Sequence, residues 1–157
     1  MTRSSRAGSP GTPYAGGRRF YPFSQFLKAR FGCKVYKLTV DAGFTCPNRD
    51  GTKGRGGCIY CENRSFSPAA GSRLSVTEQV EKEKRLAVER YGANRFIAYF
   101  QPFTNTYGPL DRLRQLYEEA LSLPNIVGLS LGTRPDCTPD EVLDYLEELA
   151  GTTHLWL

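Results

Sequence analysis

Between Lys34 and Asp41 the chain reads KVYKLTVD, with Tyr36, Leu38 and Val40 alternating against Val35, Lys37, Thr39 and Asp41. A period of two with one apolar and one more polar side predicts a strand whose two faces meet different surroundings. RFIAYFQ and NIVGLSLG are short apolar runs of strand length, and HLWL at the end begins another. The segments between them carry helical periods. PFSQFLKARFG suits a short helix that starts after Pro22 and stops at Gly32. SVTEQVEKEKRLAVERYG opens with Ser75 and Glu78 in capping-box spacing and closes at Gly92. PLDRLRQLYEEALSL puts Leu110, Leu113, Leu116, Tyr117, Ala120 and Leu121 on one side, with Pro109 suited to the first turn. In TPDEVLDYLEELAG a second capping box, Thr138 with Glu141, is expected, with Pro139 just inside and Gly151 at the end.

Strand starts near 34, 95, 126 and 153 recur, after a longer first unit, at intervals of 31 and 27 residues. That is the size of a strand-plus-helix unit in a parallel sheet, so the class is α/β, as a (βα) barrel or a doubly wound sheet. The polar side of the first strand favours the barrel, because both faces of a doubly wound sheet are covered by helices and apolar. The chain stops at Leu157 inside the fourth strand, which reads as truncation of a longer protein. The expected organisation is a disordered basic leader over residues 1–19 and one core domain over 20–157.

Charge changes this picture little. The net charge is +5, yet residues 1–40 hold eight Lys or Arg and no acid, leaving 13 bases against 16 acids in the rest. The surplus therefore belongs to the N-terminal arm, whose two readings are a solvated tail and a contact for phosphate or RNA. No apolar run approaches the roughly 20 residues that span a bilayer, and the N-terminus lacks the apolar middle of a secretory signal. The expected location is cytoplasmic.

Five cysteines is an odd number for a disulfide framework. Three of them fall in CPNRDGTKGRGGCIYC: Cys46, then Cys58 after eleven residues, then Cys61 after two. Gly51, Gly54, Gly56 and Gly57 lie in the gap and let the backbone wrap closely around a bulky ligand. A structural zinc site needs four ligands, and the one histidine, His154, is 93 residues beyond Cys61. A redox pair would use Cys58 and Cys61 but leave Cys46 and the glycines without a role. A cubane iron–sulfur cluster normally takes four thiolates, so three would leave one iron open to chemistry.

The C-x11-C-x2-C pattern, with an aromatic residue before its last cysteine, resembles the radical S-adenosylmethionine (SAM) enzymes. More narrowly, KVYKLTVDAGFTCPNRDGTKGRGGCIYC, YFQPFTNTYG and GLSLGTRPDC are similar to successive blocks of a bacterial and archaeal branch of that superfamily. The resemblance covers residues 20–157. It implies the N-terminal half of a partial (β/α)6 barrel with a 4Fe-4S cluster at the C-terminal mouth of its strands. Cys46, Cys58 and Cys61 would bind three irons, and the fourth would chelate the amino and carboxylate groups of S-adenosylmethionine. Reductive cleavage would then release methionine and a 5'-deoxyadenosyl radical that takes hydrogen from substrate. A one-electron donor such as flavodoxin or ferredoxin is implied as partner. Tyr60 matches the family position that borders the adenine.

Other residues near the mouth each have two readings. QPFTNTY follows the second strand where related enzymes carry a Gly-Gly-Glu-like turn; this chain lacks it, leaving Gln101, Thr104 or Asn105 to contact the cofactor or to form an ordinary loop. GTRPD resembles the equivalent stretch of the catalytic subunit of the elongator complex, which modifies a tRNA base. Arg134 would hold a carboxylate or phosphate with Asp136 fixing it, or the two would make a rigid turn. Cys137 reads as a buried thiol or a hydrogen donor, Cys33 as a thiol at the opposite end, and His154 as a packed or edge residue. Lys37 and Asp41 would line the interior or contact each other. Substrate candidates are a tRNA base and a small metabolite. From another class comes a zinc-stabilised nucleic-acid-binding module, drawing on the arm and on residues 46–73, with five bases and two acids.

Overall fold

In a computed structural model that describes residues 20–157, each expected helix and strand forms. Helix α1 (Phe23–Phe31) precedes strand β1 (Val35–Val40). A short α2 (Asn63–Phe66) and α3 (Val76–Tyr91) lead to β2 (Arg95–Phe100) and α4 (Leu110–Ser122). Strand β3 (Ile126–Leu131), a 3-10 turn (Pro135–Cys137), α5 (Asp140–Thr152) and β4 (His154–Trp156) complete the order. Both α2 and the 3-10 turn escape sequence reading because a single turn has no period to detect. The expected leader, 1–19, lies outside the described residues.

The four strands make one parallel sheet in the order β1-β2-β3-β4. This confirms the α/β class with parallel pairing. Among the described residues the order is strictly sequential, without the reversal that marks a doubly wound sheet. Parallel neighbours need a crossover, which α3, α4 and α5 supply.

The sheet's two faces are unlike, as the first strand announces. Leu38 and Val40, Phe96 and Phe100, and Leu129 and Leu131 form one core with apolar side chains of α3, α4 and α5. Alternation sends Lys37 and Thr39, Tyr99, and Ser130 to the other side, where the register aligns Thr39, Tyr99 and Ser130 across three strands. Only the N-terminal end of that face is covered by α1, through Leu27 with Val35 and Ile97. Lys37 lies 4.2 Å from the ring centre of Tyr99 and 5.6 Å from that of Phe23, and partial desolvation lowers its pKa. His154 packs edge-on to Phe31 at 5.4 Å, and burial pushes its pKa down.

Helix boundaries test the capping expectations. Ser75 accepts from the Glu78 amide at 3.2 Å, and the Glu78 carboxylate accepts from the Ser75 amide at 2.8 Å, so the first box forms. The second does not. Helix α5 begins at Asp140 behind Pro139 without a side-chain cap, because the Thr138 hydroxyl donates to the Pro135 carbonyl at 2.8 Å in the preceding 3-10 turn. Pro109 is likewise the N-cap of α4 rather than a residue of its first turn, and α5 runs past Gly151 to Thr152.

Candidate functional site

Three connections meet at the C-terminal ends of the strands: residues 41–75 after β1, 101–109 after β2 and 132–139 after β3. The base of the first is tied by Asp41, which is 5% exposed. Its carboxylate accepts from the Gly43 amide at 2.8 Å and the Gly71 amide at 2.7 Å, joining the start and end of the cysteine segment. Gln79 of α3 in turn clamps Asp41: its Oε1 accepts from the Asp41 amide and its Nε2 donates to the Asp41 carbonyl. A buried Gln inside an apolar helix face is explained by this bond pair, which satisfies the backbone just as β1 ends.

Within the segment the chain folds back on itself. The Arg49 and Asp50 amides donate to the Cys46 carbonyl, those of Lys53 and Gly54 to Pro47, and that of Gly57 to Asn48. Gly57 sits at φ +89, and an added Cβ would lie 2.8 Å from Arg49 Cζ and Nε. The left-handed backbone there favours glycine, and an added Cβ would also push the Arg49 guanidinium from its place. Arg49 donates to the Cys61 carbonyl and lies 5.6 Å from the ring centre of Phe103, stitching both ends of the loop to the β2 connection. Further ties come from Thr52 with Tyr107 at 2.9 Å, the Thr104 amide to the Thr45 carbonyl at 3.1 Å, and Lys53 with Asp136.

The three cysteines are free thiols, each half-buried. Asn48 Nδ2 donates to Cys58 Sγ at 3.1 Å, Arg134 Nη1 to Cys46 Sγ at 3.9 Å, and Cys61 Sγ points its proton at Asn63 Oδ1 at 3.8 Å. The Cys58 thiol is drawn below its usual pKa, first by the Asn48 bond, then by the Tyr60 hydroxyl, with Arg134 and Arg49 adding positive charge. Tyr60 is correspondingly raised by its bond to Cys58. Among the described residues no three His, Cys, Asp or Glu side chains already stand as a metal would hold them. The trio is nonetheless held on one loop with common neighbours, since Arg134 touches Cys46 and acts on Cys58 while Tyr60 senses both Cys58 and Cys61. In alkylation of the metal-free protein, Cys58 is expected to react below the pH usual for a cysteine thiol, and Asn48→Leu to move its profile upward, as read by mass spectrometry of labelled peptides.

The remaining candidates separate into two groups. Tyr60 is 85% exposed at the loop tip. Arg134 grips Asp136 through Nε at 2.9 Å and Nη2 at 2.8 Å, which raises the guanidinium pKa and, with Lys53, holds Asp136 well below the carboxylate range. Gln101 donates to the Phe66 carbonyl at 3.1 Å from a half-buried position. Thr104 and Asn105 are buried. Asn105 Nδ2 donates to the carbonyls of Phe100, Pro102 and Gly132, and the Asn105 backbone carbonyl accepts from the buried Tyr117 hydroxyl. Asn105 thus fastens the ends of β2 and β3 rather than facing the open end of the sheet. Asn105→Ala is expected to cost about 1–3 kcal/mol of stability by removing three buried hydrogen bonds and leaving the Pro102 carbonyl without its donor, measurable as a lower denaturant midpoint.

Cys137 is buried, its thiol raised first by desolvation. Cys33 packs beside α1 at the far end of the sheet. Lys37 and Asp41 form no ion pair with each other; one lies against rings and the other holds backbone amides. Sequence reasoning missed Asn48, Asn63 and Gln79. The first two each follow a cysteine by two residues, a spacing legible in the chain but silent without the loop's geometry.

The fold and site define an α/β protein with a parallel sheet and a glycine-rich three-cysteine loop at the strand ends. Among known proteins, the chain is similar to the uncharacterised protein YtqA of Bacillus subtilis, 43% identical over 141 residues that cover 89% of this chain and 44% of YtqA. The protein YhcC of Escherichia coli K12 is 51% identical over 136 residues, 86% of this chain and 43% of YhcC. The uncharacterised protein MJ0486 of Methanocaldococcus jannaschii is 36% identical over 148 residues, 92% and 44% respectively. The chain therefore spans less than half the length of these curated relatives. No family model matches. No solved structure matches.

Proposed function

We propose that residues 20–157 are the first four strand units of a partial (β/α)6 barrel in a radical SAM enzyme. The carrying observation is the loop of Cys46, Cys58 and Cys61, three free thiols seated beyond the C-terminal end of a parallel strand and latched to the next two strand-end connections. Ligands and substrates of such sheets bind at that end. The sequential strand order and the half-polar open face support a barrel over a doubly wound sheet.

The donor set fits a 4Fe-4S cluster better than zinc: among the described residues the loop offers three thiols, while His154 is packed among aromatic rings on β4. Cys46, Cys58 and Cys61 would hold the cluster as thiolates, and N–H donors already reach two of the sulfurs. When bound, such a cluster supplies one electron for reductive cleavage of S-adenosylmethionine to methionine and a 5'-deoxyadenosyl radical. The exposed Tyr60 ring offers a flat apolar surface for an adenine beside Cys58 and Cys61. Arg134 keeps N–H groups beyond those bound to Asp136, which suits a carboxylate, and Gln101 presents an amide at the same end.

Electron paramagnetic resonance of the dithionite-reduced, anaerobically reconstituted protein tests this reading. Added S-adenosylmethionine is expected to change the cluster's spectrum; a spectrum indifferent to it would overturn the open-iron reading. A colourless protein with stoichiometric zinc would instead support the nucleic-acid-binding module.

A further inference from the structure

Asn63 poses an unusual problem. It is 5% exposed, its Oδ1 accepts the Cys61 thiol proton at 3.8 Å, and its Nδ2 is buried with no partner. A buried carboxamide that leaves both its N–H donors idle while accepting from a weak S–H donor carries an avoidable penalty. The arrangement changes once Cys61 becomes a thiolate. There is then no S–H to accept, a carbonyl oxygen facing negative sulfur is repelled, and turning the amide over aims Nδ2 at sulfur without breaking any existing N–H bond.

The other two sulfurs already have this arrangement. Asn48 Nδ2 reaches Cys58 Sγ at 3.1 Å, where the Tyr60 hydroxyl also bonds, and Arg134 Nη1 reaches Cys46 Sγ at 3.9 Å. The donors come from three places: inside the wrap of the loop, the start of α2, and the turn after β3. Each is independently anchored. The Asn48 carbonyl holds Gly57, Asn63 begins α2 and its carbonyl accepts from the Ser67 amide, and Arg134 is fixed on Asp136.

We propose that Asn48, Asn63 and Arg134 are positioning residues that each direct one N–H at one ligand sulfur, and that together they raise the reduction potential of the cluster this loop holds. The inference rests on the cluster reading of the three cysteines. Its physical basis is that an N–H pointed at a thiolate draws charge from the iron–sulfur unit and makes the added electron less costly. Hydrogen bonds to sulfur from outside the metal shell are the protein's lever here, because Asp136 offsets much of the charge that Arg134 brings.

Redox titration of the reconstituted wild type, Asn48→Leu and Asn63→Leu, with leucine keeping the shape of asparagine but not its N–H, tests this. Each variant is expected to show a lower midpoint potential than wild type, and the double variant a lower one than either. An Asn63→Leu midpoint equal to wild type would overturn the assignment at Cys61, and equal midpoints in all four proteins would overturn both asparagine assignments. Should a variant fail to fold or retain iron, pulsed electron paramagnetic resonance of reduced wild type labelled with 15N-asparagine gives the answer. Side-chain 15N coupling to the cluster is expected, and its absence overturns the proposal. A wild type that takes up no iron and sulfide would remove the cluster reading itself, a distinguishable failure.

Discussion

Cys46→Ala is expected to reduce iron and sulfide retained after anaerobic reconstitution to background while leaving the fold intact. The two effects separate because of how the residue is built in. Its carbonyl, not its side chain, anchors the turn by accepting from the Arg49 and Asp50 amides, so the loop does not need the sulfur to close. The thiol is half-buried and makes one long contact, with Arg134, so the expected stability change is within about 0.5–1 kcal/mol. Two thiolates cannot replace three around a cubane, whereas a redox pair of Cys58 and Cys61 would be untouched by the change. Iron and acid-labile sulfide per chain, beside a thermal melt, report both quantities. Iron uptake equal to wild type would remove Cys46 from the site.

The second large effect falls on the sheet. Gly128 of β3 pairs with His154 of β4, and a Cβ at this position would come within 2.2 Å of the His154 carbonyl oxygen and 2.8 Å of its Cβ. Both obstacles belong to the neighbouring strand or lie directly on it, so no rotamer change relieves them. Strand β4 is held by three register pairs, Gly128↔His154 to Ser130↔Trp156, and has little pairing to lose. Gly128→Ala is therefore expected to cost about 1–3 kcal/mol or more and to loosen β4 first. The sole tryptophan reports this directly, because the Trp156 ring stands edge-on to Phe23 at 4.8 Å. A red-shifted emission and a lower melting temperature are expected; an unchanged spectrum and melt would show that the strands tolerate the added carbon.

What could be read in the chain follows from the range of the forces involved. Strands and long helices repeat their pattern over enough residues to be seen: the observed strands begin at 35, 95, 126 and 154, within a residue of expectation. The Ser75 box was legible because its partners are three residues apart and nothing competes for them. The Thr138 box failed because a three-residue turn just upstream claims the hydroxyl, and so short a turn leaves no signature. The parallel arrangement was readable from spacing, and the two-faced sheet from alternation in β1.

At the site, cysteine spacing and glycine content identified the loop, but not its fastening. The bonds of Gly71 and Gln79 to Asp41 and of Lys53 to Asp136 join residues from 30 to 83 positions apart. No local pattern encodes such partners. Thr104 and Asn105 illustrate the same limit: polar residues at a strand's C-terminal end read equally as cofactor contacts or as an ordinary loop, and the sequence alone does not reveal that Asn105 spends its amide on three carbonyls of its own chain.

What the three thiols hold is measured by metal content after anaerobic reconstitution with iron and sulfide in the presence of equimolar zinc. A brown protein with about four iron and four sulfide per chain, whose visible absorption bleaches on reduction, is expected. A colourless protein with one tightly held zinc and no acid-labile sulfide would contradict the cluster reading.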